Sequence, residues 1–183
     1  PPDLFIYDPM NPVPTLGGRN LPTGRLVPGP IDQGPIEKRH DVLCYTTPEL
    51  TEDMEVTGPL KLHLFASTSV KDTDFTARLI NVYPNGAAYN IAEGQSRGKY
   101  HKSILKPELL TPGEIYEFEI DLAVTSILFR KGHRIRLDIS SSNFPRIDRN
   151  MNTGNAFGTD AEGIPAMQTI YHGAGHASYI DRS

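Results

Sequence analysis

Alternation of apolar and charged residues with a period of two limits what this chain can fold into. In "EIYEFEIDL" Tyr116, Phe118, Ile120 and Leu122 fall on one side, and Glu117, Glu119 and Asp121 on the other. In "HRIRLDI" Ile135, Leu137 and Ile139 oppose Arg134, Arg136 and Asp138; in "LKLHLFA" Leu60, Leu62 and Leu64 oppose Lys61 and His63. Successive side chains of a strand point to opposite faces, so the pattern predicts strands with one face in a core. "DVLCYT", "TARLINVY", "AYNIA" and "QTIYH" are further strand candidates, with a short one around Leu4 to Tyr7. Turn chemistry separates them at Thr57-Gly58-Pro59, Pro84-Asn85-Gly86, Thr111-Pro112-Gly113 and Lys131-Gly132. No long segment keeps an apolar period of 3.6, so any helices are expected to be short. Many strands at this spacing predict an all-β antiparallel sandwich, specifically a jelly roll.

The first 38 residues break the pattern. "PPDLFIYDPMNPVPTLGGRNLPTGRLVPGPIDQGP" is rich in proline and glycine, which predicts extended, irregular backbone. Phe5, Ile6, Leu16, Leu21 and Ile31 give it apolar anchors. Residues 1–38 are therefore expected to form an arm packed on a surface, and residues 39–183 a single β domain. With 183 residues the chain is long enough for a hydrophobic core of its own. A balance of 18 basic against 22 acidic residues leaves no basic footprint for nucleic acid. No run is apolar enough to span a membrane and no secretory signal opens the sequence, so a cytoplasmic setting is expected. The one cysteine, Cys44, lies among Val42, Leu43 and Tyr45 and is expected to be a buried structural thiol.

Chemical candidates are few. Gly94-Gln95-Ser96-Arg97-Gly98 spells the G-x-S-x-G of a serine-hydrolase nucleophile elbow. The elbow needs a buried parallel strand before the serine and a helix after it. Here "YNIAEG" is weakly strand-like, and "KYHKSILKPELL" has no helix start and is stopped by Pro107. Ser96 is thus expected to be a polar turn or strand residue, and no catalytic residue is assigned. His172 and His176 have i,i+4 spacing but two glycines between them, which argues against a helical metal pair. His133 reads as a strand-start residue facing solvent or an interface. Asp72, Asp74 and Asp148 invite a calcium reading, but loop-shaping hydrogen bonds account for them better. No metal and no cofactor is expected. A carbohydrate-binding jelly roll is the alternative, weakened by the absence of tryptophan.

Two stretches are over-specified for solvent loops: "SSSNFPRIDRNMNTG", Ser140 to Gly154, and "PVPTLGGRNL" in the arm. The density of polar groups after a strong strand suggests a surface covered by something, an interface with another domain or, alternatively, a self-packed long loop. "YDPMNPVPTLGG", "GPIDQ", "RHDVLCYTTPEL", "EVTGPLKLHLFASTSVKDTDFTARLINVYPNG", "GHRIRLDISSSNFPRIDRNMNTG" and "IYHGAGHASYI" occur in this order. Together they resemble the C-terminal domain of the X-prolyl dipeptidyl peptidase family, nearest to its cocaine-esterase-like (CocE/NonD) acyl hydrolases. The resemblance implies a galactose-binding-like jelly roll that follows an α/β-hydrolase domain carrying the Ser, Asp and His triad. It implies as partners that catalytic domain and its helical cap, with the β domain helping to wall the substrate pocket. By position, it places Leu21 and Pro22 at the substrate; Pro22 stands where the family's esterase has an aromatic residue. Arg146, Asp148 and Arg149 are the candidates for the interdomain interface. Exposed strand edges and the arm also leave a homodimer open.

Overall fold

A computed structural model describes residues 1–22, 24 and 26–182 of the chain, the side chain of Arg182 excepted. Among the described residues nine strands follow one another: β1 (Asp3–Tyr7), β2 (Leu43–Thr46), β3 (Met54–Thr68), β4 (Asp74–Val82), β5 (Ala88–Arg97), β6 (Tyr116–Phe129), β7 (Arg134–Ser140), β8 (Ala166–Tyr171) and β9 (Tyr179–Arg182). A single turn of helix, α1 (Gly34–Glu37), and a 3₁₀ turn at Gly98–Tyr100 are the helical elements among the described residues. None is long and apolar enough to cross a membrane.

The strands form two sheets, ordered β1-β8-β3-β6 with β9 also on β3, and β2-β7-β4-β5. Every strand pairing is antiparallel. The alternation explains how they stack. Leu60, Leu62, Leu64, Phe118, Ile120 and Leu122 of the first sheet meet Phe75, Ala77, Leu79 and Ile139 of the second in one core. The rings of Phe75 and Phe118 lie 4.8 Å apart across the sheets. The expected all-β sandwich is therefore what the chain adopts. One turn is not where the sequence put it. Gly58 and Pro59 lie inside β3, opposite Thr125 and Val124 of β6, because pairing with that strand carries the backbone straight through them.

All nine residues of β4 are buried, so the second sheet is covered on both faces at this strand. The first sheet covers one face; described residues of the segment between β1 and β2 cover the other. Val13 and Ile36 of that segment cluster with Val42, and Gln33 N–H donates to Ala88 O (2.7 Å). Arg39 ties the two ends of the excursion together, donating to both oxygens of Asp41 (2.7 and 2.8 Å) and to Asn11 O (2.7 Å). Beneath this covering, the register aligns Asp138, Arg78 and Glu93 in one row across β7, β4 and β5, with the exposed Cys44 of β2 at its end.

Candidate interdomain face

Strand direction gathers the long connections at one end of the sandwich. There β1, β3, β5 and β7 finish, and β2, β4, β6 and β8 begin, so segments 8–42, 69–73, 98–115 and 141–165 meet. Two carboxylates organise this end. Asp74, at the start of β4, is 2% exposed and accepts from Arg97 Nε and Nη2 (both 2.9 Å) and from Asn150 Nδ2 (2.8 Å). Arg97 Nη2 also donates to Asp148 Oδ2 (2.8 Å). Burial lifts the Asp74 carboxyl above its ordinary range while Arg97 and Asn150 act to hold it down. Burial works against the Arg97 charge, yet Asp74 and Asp148 keep that guanidinium more basic than usual.

The second carboxylate is Glu93, 3% exposed on β5. It accepts from Asn143 Nδ2 (3.0 Å) and from the backbone N–H of Arg19 (3.1 Å), and it pairs with Arg146 Nη1. Gly18, at φ +86°, has no room for a side chain, since a Cβ there would collide with Glu93 Oε1. Gly18 and Gly29 then exchange two backbone hydrogen bonds (2.8 and 2.9 Å), closing the neck of a loop. Gln33 Nε2 braces that neck from the other side, donating to Leu16 O and Ile31 O (both 2.9 Å).

Leu21 and Pro22 stand on this loop, exposed; Leu21 shows 79% of its surface. Arg146, Asp148 and Arg149 lie together on the 141–165 connection, each tied to its own domain. Arg146 engages Glu93, Asp148 engages Arg97, and Arg149 donates to Pro9 O (3.1 Å) with its guanidinium 5.4 Å from the centre of the Phe144 ring. The two groups of candidates are linked through Glu93, which holds Arg19 on one side and Arg146 on the other. Neither Glu93 nor Arg97 stood out in the sequence, although each is a charge inside a strand that is mostly buried or half-buried, a signal of an internal partner.

The remaining candidates fall into structural roles. Ser96 lies within β5 opposite Phe75, followed by a single 3₁₀ turn rather than an α-helix. Among the described residues no hydrogen bond joins it to a histidine. Asp72 accepts from Lys99 N–H (2.9 Å), so this carboxylate, like Asp74 and Asp148, engages a basic residue of the chain and shapes a loop. His172 Nε2 sits 3.0 Å from Asp3, and His176 packs edge-on against Phe65. Two expectations are corrected. His133 is buried, with Nδ1 2.9 Å from Asn81 Oδ1 and its ring on Tyr83, because β4 and β7 close over it. Cys44 is exposed rather than buried, because its β2 strand is an edge strand and it lies on the face away from the core. Its thiol still leans on Asp138, and partial burial together with that carboxylate pushes its pKa up to about 12. An exposed cysteine is thereby kept as the unreactive thiol.

Comparison with known proteins decides where this domain belongs. Residues 2–181 match the family described as the X-Pro dipeptidyl-peptidase C-terminal non-catalytic domain. The chain belongs to that family. It is 46% identical over 180 residues to cocaine esterase of Rhodococcus sp. (strain MB1 Bresler), covering 97% of this chain and 31% of that protein. A putative serine esterase of Mycobacterium bovis is 33% identical over 118 residues, covering 55% of this chain and 19% of that protein. Among solved structures, an aminopeptidase from a marine sediment archaeon, Thaumarchaeota archaeon, superposes with a TM-score of 0.89 at 29% identity. An α-amino acid ester hydrolase superposes with a TM-score of 0.88 at 30% identity. Each structural match covers 98% of this chain and 32% of the other. The chain thus spans about a third of the length of these hydrolases.

Proposed function

We propose that this chain is a non-catalytic accessory domain of a serine hydrolase acting on esters or amides. It packs on the α/β-hydrolase domain and helical cap and supplies part of the pocket wall. In this reading residues 1–38 are an arm laid over the domain and residues 39–183 are a jelly roll. In the hydrolase, a serine attacks the acyl carbonyl while a histidine acts first as base and then as acid. Leu21 and Pro22 contribute an apolar wall beside the acyl group. Arg146, Asp148 and Arg149 border the interdomain contact. The compartment that goes with this is cytoplasmic, and a second copy of the chain on an open sheet edge is compatible with it.

One observation carries the reading: a large apolar side chain, Leu21, is held out almost fully exposed by a loop whose neck is locked. A single exposed apolar side chain is ordinary on a surface, so the weight lies in its braced support and in the further apolar side chains held out on the 98–115 connection. These are Ile104 and Leu105, 80% and 87% exposed. The rival, a carbohydrate-binding module, has in its favour Tyr179 stacked on His63 at 4.6 Å on the open face of the first sheet.

Leu21→Ala in the hydrolase polypeptide tests the reading. It is expected to lower kcat/KM for a benzoyl ester relative to an acetyl ester by about 5- to 10-fold, the loss of one apolar contact in a pocket. An unchanged ratio would contradict it.

A further inference from the structure

We infer that Glu93 is a positioning residue of the hydrolase: its buried carboxylate sets the neck of the 19–28 loop and so fixes where Leu21 and Pro22 stand in the pocket. The inference rests on the pocket-wall reading above and names the residue that makes the wall rigid. Two separate segments converge on this one side chain of β5: the loop through the Arg19 N–H, and the 141–165 connection through Asn143 and Arg146. Arg19 doubles the attachment, its Nη2 donating to Glu93 O (3.3 Å).

Glu93 is matched to this task by shape as well as charge. Gly18 leaves no space between the neck and the carboxylate, so the loop base rests directly on Glu93 Oε1. A carboxylate with several donors in a buried setting has one low-energy arrangement, whereas an exposed ion pair has many. The far side of the neck is held independently, by Ile31 N–H on Asn90 Oδ1 (2.8 Å) and by Gln33. Loss of Glu93 is therefore expected to free the Gly18–Arg19 side and leave the Ile31–Gln33 side in place.

The test uses Glu93→Gln, which keeps the side chain's size but removes its charge and turns one acceptor into a donor. Amide exchange in this chain is expected to quicken about 10-fold or more at Gly18 and Arg19 while Ile31 and Gln33 keep their protection. In the hydrolase polypeptide the benzoyl-to-acetyl ratio of kcat/KM is expected to fall about 5-fold, since misplacing a pocket wall by about an ångström acts on the bulkier acyl group. A purely structural role would lower both esters alike. Should Glu93→Gln unfold the chain, Gly18→Ala attacks the same contact from the loop side and is read the same way. Unchanged neck exchange, or an open neck with an unchanged ester ratio, overturns the inference. If Leu21→Ala shifts the ratio and Glu93→Gln does not, the positioning role alone falls; if neither shifts it, the pocket-wall reading falls with it.

Discussion

Glu37 sits where α1 of the covering segment meets the second sheet, and its protonation is coupled to that contact. Burial raises its pKa from the ordinary 4.5 to about 7, with repulsion from Asp138 adding and the paired Arg136 opposing. A carboxyl raised on folding binds a proton that the unfolded chain has already lost, so stability falls as pH rises between 4.5 and 7. Glu37→Gln fixes the neutral state. It is expected to stabilise the chain by about 1–2 kcal/mol at pH 8, with the gain shrinking toward pH 5. Urea unfolding at the two pH values checks this; an equal effect at both would contradict it. Neither this contact nor the row beneath it was legible in the sequence. Arg78 is 1% exposed between Glu93 and Asp138, and burial lowers its pKa against the pull of both. Residue spacing shows that Arg78 and Asp138 share an alternation phase, but not that residues 8–42 will roof them over. That depends on pairings between segments far apart in the chain.

At the scale of elements, the glycine that opens the false elbow motif has a packing role. Gly94 lies in β5 where that strand passes under β6, and a Cβ there would collide with the carbonyl oxygen of Asp121. Gly94→Ala must push β5 away from β6 and is expected to cost about 2–3 kcal/mol, measured by denaturant unfolding. A loss below about 0.5 kcal/mol would show that the sheets accommodate the methyl group. The strands themselves were legible, because half-buried strands print their two faces into the sequence as alternation. β5 was harder to read, since "EGQSR" carries two charges, Glu93 and Arg97, that the fold buries or half-buries on one face. The break expected at Gly58-Pro59 failed for a related reason: local turn chemistry is weaker than a pairing register that runs from Met54 to Ala66 along β6.

At the scale of the whole molecule, the sandwich sorts its work by position. The core between the sheets supplies stability, and the end where the long connections meet carries the ionic hubs of Asp74 and Glu93. The Gly18–Gly29 neck lies beside β5, held by Glu93 and Asn90. The candidate site was legible as regions, the arm and the 140–154 stretch, because prolines, amides and charges crowd there. How those regions are joined was not legible, since Glu93 reaches Arg19 and Arg146 only after β5 is in place. The function proposed above needs this chain to dock on a catalytic domain that holds the nucleophile. The most direct test is to mix it with the separately produced catalytic region of the hydrolase and follow aryl-ester hydrolysis and complex formation. The account predicts a one-to-one complex with restored activity, and no ester hydrolysis or fluorophosphonate labelling by this chain alone. Failure to bind, or labelling of this chain that Ser96→Ala abolishes, would contradict it.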